Sequence, residues 1–197
     1  MAPRAAQEKP VIYQETSIAG VWVVDLDRKA DARGYFARVF CQDEFAKRGL
    51  SPAVSQVNVG HNTRKGTIRG VHFQYPPHGE VKLVRATRGA VLDVAVDLRP
   101  DSPTYLAHFA VELSAENGRA LYIPEGCGHA YQTLEDGTDL LYFTSRPWAP
   151  GFDDGLSPFD PALRIAWPLP VTEISTKDRD ARPLEEKRAD LERRMRS

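Results

Sequence analysis

The sequence predicts an all-β domain, a sandwich, jelly roll or barrel with a few short peripheral helices. Three observations carry this expectation: short β-rich runs recur from residue 12 to about residue 145, turn residues separate them, and helical periodicity is sparse. In chain order the runs are Val21–Leu26, Tyr35–Phe40, Val54–Val59, Thr67–Phe73, Val81–Thr87, Ala90–Leu98, Leu106–Leu113, Ala120–Ile123, His129–Leu134 and Leu140–Thr144. Several alternate apolar and polar residues, as Ala90–Leu98 does, so that one face can be core. Arg88-Gly89, Pro100-Asp101-Ser102-Pro103, Glu116-Asn117-Gly118 and Glu135-Asp136-Gly137 supply the reversals. One short helix is expected over Gln42–Arg48, stopped by Gly49. A second is expected over Pro183–Arg196, with proline first, acids early and arginines late, as the helix dipole favours. Pro147–Pro170, rich in proline, glycine and aspartate, reads as a long loop. The expected organisation is a mobile segment 1–10, a β domain 11–183 and a helical tail 184–197.

At 197 residues with 42% hydrophobic content, the chain is long enough to bury one real core. A net charge of −1 creates no field that would draw nucleic acid or an anionic membrane, and the small basic clusters are balanced by acids. An anionic small ligand needs only a few local cations and stays open. Met1–Pro10 lacks the apolar run of a signal peptide, and no stretch approaches the ~20 apolar residues of a membrane helix. Two cysteines, Cys41 and Cys127, are a poor basis for a disulfide framework and read as reduced. The expected location is cytoplasmic.

Polar side chains inside apolar strands are the informative positions, because burying them without a partner is costly. They are Arg69 and His72 in Thr67–Gln74, Lys82 at the head of the next run, His129 after Pro124-Glu125-Gly126-Cys127-Gly128, and Tyr142. Arg69 and His72 are an odd number of residues apart and would face opposite sides of a regular strand. A bulge at Gly70 would bring both inward. Each residue alone has a plain structural explanation: a satisfied core histidine, a solvated lysine, a core tyrosine, an arginine paired to an acid. Five together in one β domain can converge on a cavity.

Two chemistries compete for that cavity. A two-part cupin metal site would need His-x-His in one strand and Pro-x-Gly-x-x-His in another. Pro124, Gly126 and His129 fit the second half, but Gln74 stands where the first half needs imidazole, so no metal is expected. The other is metal-free proton transfer: a histidine base beside a carbonyl, a lysine for the enolate oxygen, and a tyrosine acid on the opposite face. His72, Lys82 and Tyr142 make that complement, although spacing alone leaves a ligand-binding cupin equally open.

The motifs Gly66-Thr67-Ile68-Arg69-Gly70-Val71-His72-Phe73-Gln74, Lys82-Leu83-Val84-Arg85, Asp93-Val94-Ala95-Val96-Asp97 and Ile123-Pro124-Glu125-Gly126-x-x-His129 resemble the dTDP-4-dehydrorhamnose 3,5-epimerase family. Arg33-Gly34-Tyr35-Phe36, Gln56-x-Asn58, Val111-Glu112-Leu113-Ser114, Asp160-Pro161-Ala162-Leu163 and Ser175-x-Lys177-Asp178 extend the match over about residues 12–183. The resemblance implies a cupin-type jelly-roll barrel, a homodimer without metal or organic cofactor, and conversion of dTDP-4-dehydro-6-deoxy-D-glucose to the L-configured ketosugar. It also implies roles: His72 as base, Asp178 as the partner orienting it, Lys82 at the enolate and Tyr142 as acid. Arg69 and His129 would line the sugar and phosphate region, Gln56 and Asn58 would hold substrate, and Arg33 and Arg38 would reach the nucleotide from a partner subunit. Trp148 stands where the family usually has tyrosine near the nucleotide, and an indole can stack on a base. Gly60 stands where serine is common, Arg38 at an often acidic position, and Ala166 precedes Trp167 where an acid is frequent. The alternatives are an epimerase acting at C3 only or C5 only for another deoxysugar, or a non-catalytic sugar-nucleotide-binding cupin.

Overall fold

The computed structural model describes residues 12–196, so the expectation for residues 1–10 lies outside it. In chain order the strands are β1 (Ile12–Glu15), β2 (Trp22–Asp25), β3 (Lys29–Asp31), β4 (Gly34–Phe36), β5 (Gln56–Asn62), β6 (Thr67–Gln74) and β7 (Lys82–Arg88). They continue as β8 (Ala90–Asp97), β9 (His108–Ser114), β10 (Ala120–Ile123), β11 (Cys127–Thr133), β12 (Thr138–Thr144), β13 (Asp153–Gly155) and β14 (Glu173–Ile174). The helices are α1 (Gln42–Ala46), α2 (Thr176–Arg179) and α3 (Leu184–Met195).

Two six-stranded sheets build a jelly roll. One runs β1-β2-β10-β7-β12-β5; the other runs β13-β6-β11-β8-β9, with β14 adding to β6 in parallel. Alternation sorts the side chains into three apolar layers. Between the sheets lie Val23, Val84, Ala86 and Leu121 of the first, packed on Val91, Ala95, Leu113 and Tyr131 of the second. The opposite face of the second sheet (Val71, Phe73, Val94, Val96, Ala130) is covered by Leu156, Leu163 and the α3 residues Leu184 and Leu191. The opposite face of the first (Val24, Leu83, Ala120, Tyr122) is covered by Phe45 of α1 and by Leu50. The C-terminal helix therefore packs as part of the fold, with Leu184 and Leu191 fully buried.

The expected runs correspond to strands with three informative differences. Of Tyr35–Phe40, only Gly34–Phe36 is strand, in a two-stranded hairpin with β3; Phe40 instead packs against Phe45, ring centroids 4.9 Å apart. The run beginning at Leu106 becomes strand only at His108, because Leu106 sits at φ 65° and donates its N–H to Asp97 O, closing a turn. The expected loop Pro147–Pro170 contributes β13, which adds to the edge of β6.

Candidate active site

Strand parity places the polar residues. Lys82 is two residues before inward-facing Val84, Tyr142 two after Leu140, and His129 two from both Cys127 and Tyr131, so all three point between the sheets. His72 pairs with His129 across the β6–β11 ladder and shares its side. Arg69 pairs with Tyr131, which requires two residues of β6, Gly70 and Val71, to oppose the single Ala130. This is the bulge expected at Gly70. Gly70 holds φ 104°, and a Cβ there would stand 2.4 Å from His129 O and 2.7 Å from Ala130 Cα, so no larger residue fits. Asn58, Gly60, Arg69, His72, Lys82, His129, Tyr131 and Tyr142 accordingly line one cavity of about 240 Å³.

Asp178 reaches His72 from 106 positions away in the chain. On the open edge of β6, β14 pairs with Thr67 and Ile68 while β13 pairs with His72, Phe73 and Gln74. Into the gap between them α2 delivers Asp178, capped at its start by Ser175 Oγ, which accepts from Asp178 N at 3.1 Å. The Asp178 carboxylate accepts from Gly70 N at 3.2 Å and from His72 Nε2 at 2.6 Å. Burial alone would raise its pKa. His72, the Gly70 N–H and Ser175 outweigh that and hold it below the ordinary 3.8. An ionised carboxylate can only accept, so the His72 proton sits on Nε2 and the Nδ1 lone pair is left to take a proton.

The remaining walls are equally determined. Lys82 Nζ, nearly buried, contacts Glu80 Oε1 at 3.2 Å and donates to His72 O at 3.4 Å. His129 Nε2 lies 2.7 Å from Asp93 Oδ1, and Asp93 is fully buried. Arg69 donates from Nε to Asn62 Oδ1 at 3.0 Å. Tyr142 is pushed well above the ordinary phenol value by burial first and then by Tyr131 and Asp93, with the Arg69 guanidinium opposing. It keeps its proton at neutral pH, the condition for an acid. Cys127 is buried and pushed up to about 12, chiefly by burial, which makes it an unreactive core thiol.

Not every expected residue converges here. Gln56 sits two positions before Asn58 on the same face of β5 but outside the cavity lining. Arg33, on the β3–β4 hairpin, pairs with Asp31 at 2.6 Å, and Arg38 pairs with Glu44 at 3.1 Å; neither lines the cavity of its own chain. Trp148 is exposed, and its loop is clamped by buried Gln74, which accepts from Ala149 N at 2.7 Å and donates to Pro147 O at 3.3 Å. Gln74 thus binds backbone where a metal cupin would place a ligand. Among the described residues no group of three or more His, Cys, Asp or Glu side chains is placed to hold a metal ion. Sequence reasoning passed over Asp93, Asn62, Tyr131 and Glu80 as site residues. Only Asp93 carried a signal, as an acid inside an apolar strand.

Comparison with known proteins agrees with this geometry. A family model described as dTDP-4-dehydrorhamnose 3,5-epimerase matches residues 15–186. A dTDP-4-dehydrorhamnose 3,5-epimerase of Sinorhizobium fredii is 40% identical over 171 residues, covering 87% of this chain and 88% of the relative. A dTDP-4-dehydrorhamnose 3-epimerase of Streptomyces niveus is 39% identical, covering 87% and 83%. The crystal structure of NovW, a 4-keto-6-deoxy sugar epimerase from the novobiocin biosynthetic gene cluster of Streptomyces spheroides, superposes with a TM-score of 0.88 at 34% identity, covering 97% of this chain and 96% of that one.

Proposed function

The chain belongs to the dTDP-4-dehydrorhamnose 3,5-epimerase family, an isomerase family with a cupin-type jelly roll, and on that premise we propose how its residues act on dTDP-4-dehydro-6-deoxy-D-glucose. The observation that carries the assignment is the His72–Asp178 pair, whose imidazole lines the same cavity as Tyr142 and Lys82.

His72 Nδ1 takes the proton from a carbon next to the C4 ketone. The bond electrons move into the enolate, whose oxygen Lys82 stabilises, and the carboxylate of Asp178 stabilises the new imidazolium. Tyr142 then protonates the same carbon from the other side, the ketone reforms, and the configuration is inverted. Done at C3 and C5, this yields dTDP-4-dehydro-L-rhamnose. His129, held by Asp93, and Arg69, held by Asn62, bind sugar and phosphate oxygens, with Gln56 and Asn58 beside them. Trp148 stacks on the nucleotide base.

We further propose a homodimer in which Arg33 and Arg38 serve the partner's nucleotide site. This is supported by their distance from their own cavity, by exposed Tyr35 and Phe36 beside Arg33, and by β5, an edge strand with exposed Val57 and Val59. Among the described residues no helix is long and apolar enough to cross a membrane, and we place the enzyme in the cytoplasm.

The test is proton NMR of the protein with this substrate in D2O, with and without chelator. Deuterium is expected at both C3 and C5 regardless of chelator, and His72→Asn should abolish it. Exchange at one carbon alone identifies a single-site epimerase. No exchange, with nucleotide sugar still bound, identifies a binding protein.

A further inference from the structure

The cavity wall has one gap in its side chains, at Gly60. A Cβ there would stand 3.3 Å from Tyr142 Cε2, 3.6 Å from the Tyr142 hydroxyl oxygen and 3.9 Å from that of Tyr131. The missing side chain leaves the hydroxyls of both phenols bordering the space it would fill, in the same cavity wall, and Tyr131 is among the groups that push the Tyr142 phenol up. Tyr131 is buried, and its hydroxyl lies 3.0 Å from Asn62 Oδ1.

The Asn62 amide determines the direction of that bond. Its Nδ2 donates to Thr138 O at 3.3 Å and to Gly60 O at 3.5 Å, and its Oδ1 accepts from Arg69 Nε, a group that only donates. An amide oxygen cannot donate, so the Tyr131 O–H donates to Asn62. The lone pairs of Tyr131 are then left to accept a donor from the space it shares with the Tyr142 hydroxyl.

We propose that Tyr131 is a positioning residue for the Tyr142 acid: its hydroxyl aims the Tyr142 O–H at rest and, by turning its own proton from Asn62 to Tyr142, stabilises the phenolate left once the enolate carbon has been protonated. The step balances. The Tyr142 O–H bond breaks, a C–H bond forms from the enolate electron pair, the C4 ketone reforms, and the negative charge passes to the Tyr142 oxygen. Solvent later returns the proton to Tyr142 and removes one from His72. When Tyr131 turns away, Asn62 Oδ1 keeps its Arg69 donor, so no buried acceptor is stranded. This proposal rests on the epimerase reading.

Tyr131→Phe removes one oxygen and keeps the ring in the core. With dTDP-4-dehydro-6-deoxy-D-glucose in D2O, two rates are read by proton NMR: deuterium wash-in to recovered substrate, which reports abstraction by His72, and formation of inverted product. Inversion is expected to fall about tenfold to a hundredfold, the loss of one hydrogen bond to a charged group. Wash-in and KM should stay within about twofold. In a Tyr142→Phe background, Tyr131→Phe should change residual inversion by less than about twofold, because its effect passes through Tyr142. Unchanged inversion in Tyr131→Phe, equal loss of wash-in and inversion, or additive effects in the double variant would each overturn the proposal while leaving the epimerase reading intact. A wild-type protein that neither exchanges nor inverts overturns both.

Discussion

Asp178 does two things with one carboxylate: it orients the His72 imidazole and it satisfies the Gly70 N–H in a gap along β6 where no strand pairs. An asparagine could still accept from His72, but its amide group would then face the Gly70 N–H, donor against donor, and its neutral side chain would no longer stabilise the imidazolium. Asp178→Asn should therefore slow deuterium wash-in about tenfold to a hundredfold. It should also lower unfolding stability at pH 7 by about 1–3 kcal/mol, the cost of an unsatisfied buried group, measurable in urea. The sign with pH follows from the depressed carboxyl. The stabilisation is complete above the unfolded value of 3.8 and fades as pH falls below it through the native value, so wild type and variant should converge there. Nothing in the sequence near His72 points to residue 178. The pairing came only from the family resemblance, because contacts so distant in the chain leave no local pattern.

At the scale of elements, β6 and the strands around it were legible because long apolar runs with clear turns can hardly be anything else. β13 and β14 were not, for a physical reason: Asp153-Asp154-Gly155 has poor strand propensity and exists as strand only because the β6 edge offers it a ladder. The four-residue α2 is likewise too short for periodicity and stands on its Ser175 cap and on its docking. α3 was legible in position, but its packing was not. Lys187 Nζ bridges Asp154 Oδ1 and Gly155 O at 2.7 and 2.8 Å, while Tyr75 donates to Asp154 Oδ2 at 2.7 Å, so helix, β13 and the end of β6 form one unit. Leu191, fully buried against the second sheet, should cost about 2–5 kcal/mol when truncated to alanine, measured by urea unfolding. A change below about 0.5 kcal/mol would mean the helix is a dispensable appendage.

At the scale of the molecule, two sheets with apolar layers between and outside them enclose the polar cavity, while apolar side chains remain exposed on the β3–β4 hairpin and on the β5 edge. If these surfaces close a homodimer, sedimentation velocity should show twice the chain mass, and Val57→Asp should shift it toward monomer. The same change should weaken nucleotide binding, since Arg33 and Arg38 would no longer reach a neighbouring site. A wild-type protein that sediments as a monomer and still binds nucleotide sugar tightly would refute the shared site.

The sequence by itself determined the all-β class, most strand positions, the polar residues in strand interiors and, through ordered motifs, the family. These are local properties: alternation, turn chemistry and residue type are written within a few positions of one another. Tertiary structure decided which of those residues meet. The Gly70 bulge put Arg69 and His72 on one side, the gap between β13 and β14 brought Asp178 to His72, Asp93 came to lie under His129, and the absent side chain of Gly60 left open a space that the Tyr131 and Tyr142 hydroxyls both border. Each is a contact between strands or segments distant in the chain. Such contacts depend on register and on which edge is left unpaired, quantities that exist only once the sheets have assembled.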